Sequence, residues 1–197
     1  MLKRSFDFIA SAIGLSCLLP VFLIIAFWVK LDSKGPIFFR QVRIGRNGVP
    51  FIIHKFRTMH TNAESEGRLT IGSDSRITHS GHFLRRTKLD ELPQLIDVLL
   101  GDMSLVGPRP EVSEFMELYR EDVRSNILSV KPGITDRASI EMVDENTLLS
   151  GYADPKQAYI EIIMPIKAKI SCEYVDKQNF IDDLKIIFLT LWHIAFR

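Results

Sequence analysis

The sequence predicts an α+β chain: an apolar membrane helix at the N-terminus, then a mostly helical domain that carries one small β-hairpin. Three observations carry this reading. Phe8 to Val29 contains no charged residue over 22 positions. Two Ile-, Val- and Phe-rich segments flank a Gly-x-Asn-Gly turn at Gly45–Gly48, a hairpin pattern. Most of the chain beyond the hairpin has helical apolar spacing punctuated by Gly and Pro. The composition agrees, at 46% hydrophobic and 25% charged residues over 197 positions with a net charge of +1. That is globular rather than disordered, and it argues against a general nucleic-acid binder, whose domain is usually strongly basic. Cys17 and Cys172 lie far apart, without metal-ligand spacing, and read as reduced thiols.

The apolar run, as a straight helix, is about 33 Å long, close to the roughly 30 Å of a bilayer core. It is too long for a signal-peptide core, and no small-residue cleavage site comes after it. Pro20 lies near its middle, where a proline removes a backbone hydrogen bond and kinks a helix. Both flanks are basic (Lys3 and Arg4 before, Lys30 and Lys34 after), so the charge rule for orientation does not choose between a single span and a helix that dips in and returns. Asp7 is expected to pair with Lys3 or Arg4 at the interface, and Trp28 suits an interfacial anchor. A boundary near residue 33 separates this helix, 1–33, from a domain over 34–197.

Gly35-Pro36 ends the helix. The hairpin is predicted over Ile37–Ile44 and Pro50–Thr58, with basic polar members Arg40, Arg43, Arg46, Lys55 and Arg57. Clustered guanidinium and ammonium groups suit phosphate, and they equally suit anionic lipid headgroups. Thr61–Ser80 reads as a long polar loop or short helix, of the kind that often carries function. His60, His79 and His82 show no ligand spacing.

The segment Leu84–Pro110 concentrates the chemistry. Pro93 is best tolerated in a first helical turn, so a helix is expected to begin near Asp90, to present Leu92, Leu95, Ile96 and Leu99 on one face, and to end at Gly101. Asp90 and Glu91 then stand at its N-terminal end. Capping alone explains such a pair. So do Mg²⁺ binding alongside a substrate phosphate and nucleophilic attack on phosphorus. Arg85 and Arg86 upstream, with Arg109 held between two prolines downstream, favour phosphoryl chemistry.

Farther on, Glu111–Leu128 reads as a helix, Lys131-Pro132-Gly133 as a turn, Asp144-Glu145 as solvated loop acids, and Pro155–Val175 as a helix with a kink at Pro165. Asn179 is a cap for a last helix whose stripe is Phe180, Leu184, Ile187, Phe188, Leu191 and Ala195. Trp192 there fits either a membrane-surface helix or core packing.

Six ordered motifs resemble the bacterial sugar transferases, the small monotopic phosphoglycosyl transferases. They are Arg4-x-Phe6-Asp7; Gln41-x-Arg43-x-Gly45 with Lys55-Phe56-Arg57-Thr58-Met59; Leu89-Asp90-Glu91-Leu92-Pro93-Gln94-Leu95; Gly101 through Pro110; Lys131-Pro132-Gly133-Ile134-Thr135; and Asp183-Leu184-Lys185-Ile186. The resemblance implies transfer of a sugar 1-phosphate from a UDP-sugar to undecaprenyl phosphate, with release of UMP. It implies double displacement through a phosphosugar ester on Asp90, with Mg²⁺ held by Asp90 and Glu91, and Lys55, Arg57, Arg85 and Arg109 on phosphates. It also implies a re-entrant helix broken at Pro20, amphipathic interfacial helices, contact with membrane lipid, and a catalytic domain on the cytoplasmic face of the bacterial inner membrane. A homo-oligomer is compatible with it. Two departures stand out. Leu19 replaces the serine usual before the proline. Asp136 to Val143 differs from the family pattern, leaving Arg137 as the substitute for a missing arginine. That altered segment motivates an alternative, a non-catalytic membrane-anchored scaffold for envelope glycan assembly.

Overall fold

The computed structural model describes residues 2–63, 70, 74–142 and 145–196, the side chains of 145–147 excepted. The first element is a single helix, α1 (Leu2–Asp32), with Pro20 inside it. A proline deletes one hydrogen bond and bends a helix without having to end it, and here helical structure continues on both sides. The helix lies along the rest of the molecule rather than projecting from it. Its C-terminal half packs Ile25 and Val29 against Phe56 and Leu84, and Gly14 lies against Leu95. The other side stays bare: Phe8, Ile9, Ile13, Leu19, Leu23, Ile24, Phe27 and Leu31 are exposed. Apolar exposure of that extent on one helix marks a membrane contact.

Polar bonds fasten each end of α1 to the same folded body. At the N-terminal end, buried Asp7 accepts from Ser104 Oγ (2.8 Å) and from the Leu105 N–H (3.2 Å). Arg4 donates to the carbonyls of Val98 (2.6 Å) and Leu99 (3.1 Å), and Lys3 pairs with Asp183 (2.6 Å). The expected pairing of Asp7 with Lys3 or Arg4 is therefore not made. The donors of the strand at 104–105 and the helix carbonyls at 98–99 offer better-matched partners from distant parts of the chain. At the C-terminal end, Asp32 accepts from Ser80 N (2.9 Å) and Oγ (2.8 Å).

The hairpin forms as expected, β1 (Phe38–Ile44) with β2 (Pro50–Phe56), antiparallel, with Val42 opposite Ile52. Asn47 (φ 57°) and Gly48 (φ 76°) supply the left-handed turn. Thr58 lies beyond the strand. Next come α2 (His79–Thr87), α3 (Gln94–Leu100) and β3 (Ser104–Val106). Gly101, at φ 98°, terminates α3 in a left-handed cap. The predicted helix at Glu111–Leu128 is two, α4 (Ser113–Met116) and α5 (Glu121–Ile127). Arg120 between them is extended, at ψ 148°, and Glu121 and Asp122 form the acidic first turn of the second helix.

β4 (Gly133–Thr135) pairs in parallel with β3. The two strands approach at a glycine pair. A Cβ on Gly133 would sit 2.1 Å from Gly107 N, and one on Gly107 2.4 Å from Lys131 O, so only glycine fits at either position. After α6 (Arg137–Glu141) and α7 (Glu145–Ser150), one helical run comprises α8 (Pro155–Ala158), a π-turn at Tyr159–Ile163 and α9 (Met164–Asp176). The predicted irregularity at Pro165 is this π-turn, which re-registers the hydrogen bonds just before the proline. Asn179 caps α10 (Phe180–Ala195) through the Asp182 N–H (3.0 Å). Only Asp183 and Ile186 of α10 are buried, while Phe188, Leu191 and Trp192 are exposed. Its second half is a bare apolar surface, so of the two readings of Trp192 core packing is excluded. Val143 and Asp144 lie outside the described residues, as does much of the Thr61–Ser80 loop.

Candidate active site

The chain at Thr87–Pro93 is arranged to bury two adjacent carboxylates. α2 ends in left-handed Lys88 (φ 59°), and a 3₁₀ turn at Leu89–Glu91 comes next. Pro93 then opens α3, accepting from the Ile96 N–H (2.9 Å). The acids thus sit in a tight turn that leads into the helix, which starts at Gln94 rather than near Asp90 as the sequence suggests. The buried face of α3 is Gln94, Asp97 and Val98. Leu92, Leu95, Ile96 and Leu99 are not fully buried, with Leu95 turned to α1. Asp97 explains the difference: it is fully buried under the hairpin, accepting from His54 N (2.9 Å) and pairing with His54 Nδ1 (2.6 Å).

Glu91 is clamped. Its Oε1 accepts from Lys55 Nζ at 2.7 Å and from Arg109 Nη2, and its Oε2 from Arg109 Nη1 at 3.2 Å. Burial disfavours its charged form, but Arg109 and Lys55 outweigh that and hold the carboxyl well below the ordinary glutamate range. Arg109 is pushed up by Glu91. Lys55 is pulled down by burial, with Glu91 opposing.

Asp90 is the opposite case. It is 8% exposed, and its Oδ1 is buried without a hydrogen-bond partner among the described residues. Burial first, and the neighbouring Glu91 charge second, push its carboxyl up to about 6, against Lys55, Lys88 and Arg85. A second buried atom without a partner, Gln94 Nε2, lies four residues on. Native proteins rarely leave such groups unsatisfied unless function uses them.

The hairpin and the β3–β4 pair hold the cations in place. Ile44 N bonds Glu111 O (3.0 Å), and Arg43 Nη1 bonds Pro110 O (2.9 Å), clasping the loop that presents Arg109. One open groove is lined by Asp90, Glu91, Lys55, Arg43, Arg85 and Arg109. Arg85 also donates to Thr70 Oγ1 (2.8 Å).

Two expected site residues have their charges engaged by other protein groups. Arg57 borders the groove but is 4% exposed, and its guanidinium is spent on carbonyls of Pro36 (2.6 Å), Ser33 (2.9 Å) and Val29 (3.4 Å). It ties down the C-terminal end of α1. Arg137 is an exposed residue of α6, paired with Glu141 (2.5 Å) and Glu173 (3.6 Å), and it is not among the groove residues. Ser139, Ile140 and Met142 from that segment do line the groove. Sequence patterns do not single out Gln94, and they mark Arg43 only as one of several hairpin cations. The signal for each is a position inside a motif, but its burial depends on contacts made across the fold.

The family model for bacterial sugar transferases matches residues 1–197. The chain belongs to the bacterial sugar transferase family. It is 39% identical over 191 residues to a Bacillus subtilis (strain 168) protein named as the uncharacterized sugar transferase EpsL, covering 97% of this chain and 86% of that one. It is 39% identical over 196 residues to the UDP-glucose:undecaprenyl-phosphate glucose-1-phosphate transferase of Escherichia coli (strain K12), covering 98% of this chain and 40% of that protein. It is 38% identical over 142 residues to the Aeromonas hydrophila UDP-N-acetylgalactosamine-undecaprenyl-phosphate N-acetylgalactosaminephosphotransferase, covering 71% of this chain and 34% of that protein. The chain therefore spans well under half the length of the latter two relatives.

Within this family member the groove has the parts phosphoryl transfer needs: a carboxylate with a free oxygen, and cations around it. Among the described residues no group of three or more His, Cys, Asp or Glu converges. A divalent ion at Asp90 would therefore take its other oxygens from substrate phosphates and water, as Mg²⁺ commonly does. The unpartnered Asp90 Oδ1 fits that role, whereas both Glu91 oxygens are already on cations.

Proposed function

We propose that the chain transfers a sugar 1-phosphate from a UDP-sugar to undecaprenyl phosphate and releases UMP. One observation carries the mechanism: Asp90 is buried with an unpartnered oxygen, beside a glutamate fully engaged by Lys55 and Arg109. In the first step ionised Asp90 attacks the phosphorus that bears the sugar. The bond from that phosphorus to the bridging oxygen breaks, UMP leaves with the electron pair, and a phosphosugar ester of Asp90 forms. In the second step a phosphate oxygen of undecaprenyl phosphate attacks the same phosphorus. The Asp90 carboxylate is released, and undecaprenyl diphosphate sugar is the product.

Glu91 keeps Lys55 and Arg109 charged and aimed into the groove, where they meet the negative charge of the donor phosphates. Arg85 adds a cation from α2. Asp90 would hold Mg²⁺ together with the donor phosphates, and the ion would supply Lewis-acid neutralisation of the charge that develops on UMP. Arg57 and Arg137 take no part.

The arrangement of α1, one uninterrupted helix through Pro20, supports a helix that lies in one leaflet with both ends on the same side of the bilayer. Lys3, Arg4 and Asp7 at one end and Asp32 at the other bond to the same folded body, which a span of the bilayer would place on opposite sides. The bare faces of α1 and α10 then lie in the membrane surface, bringing a soluble UDP-sugar to a lipid phosphate. We place that surface on the cytoplasmic side of the inner membrane, where nucleotide sugars are made, and the reaction at the start of surface-glycan synthesis.

The test is UMP release from a panel containing UDP-glucose and UDP-N-acetylgalactosamine, with undecaprenyl phosphate and Mg²⁺. Turnover with at least one donor, abolished in Asp90→Asn, is expected. No turnover across the panel with the fold intact would favour the scaffold alternative.

A further inference from the structure

A second basic cluster lies apart from the groove, at the turn that ends α3. Gly101 marks its centre. A Cβ placed there would lie 3.0 Å from Arg4 Nη2 and 3.5 Å from Lys131 Nζ, so the two cations flank one small notch. The hairpin tip closes a third side. Asn47 N donates to Leu128 O (2.7 Å), which brings Arg46 close enough to Lys131 to depress its ammonium, after burial and Arg4. Arg4 is partly satisfied by the α3 carbonyls of Val98 and Leu99. The side chains of Arg46 and Lys131 make no hydrogen bond or ion pair among the described residues. Asp7 and Asp102 are the acids that act on Lys131, and Asp7 is already bonded to Ser104 and Leu105.

The surroundings of the notch are apolar and bare. Leu100 next to it is 68% exposed, Val49 of the hairpin tip 61%, and Leu2 and Phe8 of α1 67% and 49%. Three cations gathered at the rim of an apolar surface match a phosphodiester whose acyl chains lie on that surface. We infer that the Arg4–Arg46–Lys131 notch binds the phosphate of an anionic membrane phospholipid and so fastens the N-terminal end of α1 at the bilayer surface. The inference rests on the membrane association of α1 and is independent of the reaction at Asp90.

The full chain in detergent micelles is titrated with phosphatidylglycerol, phosphatidylcholine or sodium phosphate while its thermal midpoint is followed. Phosphatidylglycerol is expected to raise the midpoint saturably and the other two are not. Each cation near a membrane surface is worth about a fivefold change in binding. Arg46→Gln/Lys131→Gln should therefore raise the half-saturating phosphatidylglycerol concentration about 25-fold, and Arg46→Gln alone, at an exposed turn, about fivefold. The single variant decides the matter if the double one does not fold. An unchanged titration in Arg46→Gln, or equal stabilisation by sodium phosphate at the same concentration, would overturn the inference.

Discussion

Two regions of this molecule bury carboxylates and use them in opposite ways. At the docking end of α1, Asp7 has a partner on each oxygen. Nearby Asp183 accepts from Lys3 and from Tyr174 Oη, at 2.6 Å each. Burial, and then the bond to Asp183, raise the Tyr174 phenol, so it stays a donor throughout the working range. At the groove, Asp90 is similarly buried and has an oxygen with no partner among the described residues. Satisfied carboxylates bring distant segments together, whereas the unsatisfied one lines the groove. A raised acid in a groove beside cations is the pattern expected of a functional group. Motif membership alone does not separate the two roles, because Asp7, Asp90 and Asp183 all lie in family motifs.

The comparison is broken most directly at Asp90. Asp90→Asn should lower UMP release on the order of 10⁴-fold, as loss of a nucleophile does, without loss of fold by circular dichroism. The next largest effect is at the clamp. Arg109→Ala should cost about 10² to 10³ in turnover and destabilise the fold by about 3–5 kcal/mol, since Glu91 is left buried and half-paired. Adding Glu91→Gln should recover much of the stability, read by denaturant unfolding, and none of the activity.

The docking end should behave in reverse. Asp183→Asn leaves Lys3 short of a counter-charge and should cost about 2–3 kcal/mol of stability, while turnover per folded molecule stays within a few-fold of normal. A large loss of turnover at full stability would show that this end also serves the chemistry.

pH sharpens the contrast. Asp90 binds its proton more tightly folded than unfolded, so it favours folding at acid pH and opposes it once ionised. The penalty grows as pH rises from about 4 through about 6 and at full ionisation amounts to about 3 kcal/mol. Asp90→Asn should thus raise the thermal midpoint at pH 8 and leave it nearly unchanged at pH 4. Turnover should fall at acid pH as Asp90 becomes protonated, because the nucleophile must be ionised. The smallest effect is at Arg137, whose pairs are exposed. Arg137→Ala should change stability by no more than about 0.5 kcal/mol and leave UMP release within about twofold.

Local chemistry is legible in the sequence without a structure. The Asn47-Gly48 turn, the Gly101 terminus, the Asn179 cap and the place of Pro93 each depend on one or two residues and their backbone limits. The helix at Glu111–Leu128 is legible in kind but not in its division, because its break lies in the extended Arg120 rather than in a Gly or Pro. Sequence motifs also bring Asp90, Glu91, Lys55, Arg85 and Arg109 into one proposal, and the structure gathers them in one groove. Arg57 borders the same groove with its guanidinium already engaged, and Arg137 lies outside it. Arg57 meets the α1 carbonyls and Arg137 meets Glu141 and Glu173, through contacts that charge patterning does not encode. Asp7 is the same lesson in reverse: adjacent Lys3 and Arg4 are its obvious partners, yet Ser104 and Leu105, nearly a hundred residues on, hold it.

The central claim is that Asp90 carries the sugar phosphate between the two substrates, and intact-protein mass spectrometry after incubation with donor and Mg²⁺ but no undecaprenyl phosphate tests it most directly. The account predicts a mass increase equal to one sugar phosphate, located to the peptide that contains Asp90, absent in Asp90→Asn and discharged when undecaprenyl phosphate is added. Rapid turnover with no adduct at Asp90, and UMP released only when both substrates are present, would contradict it.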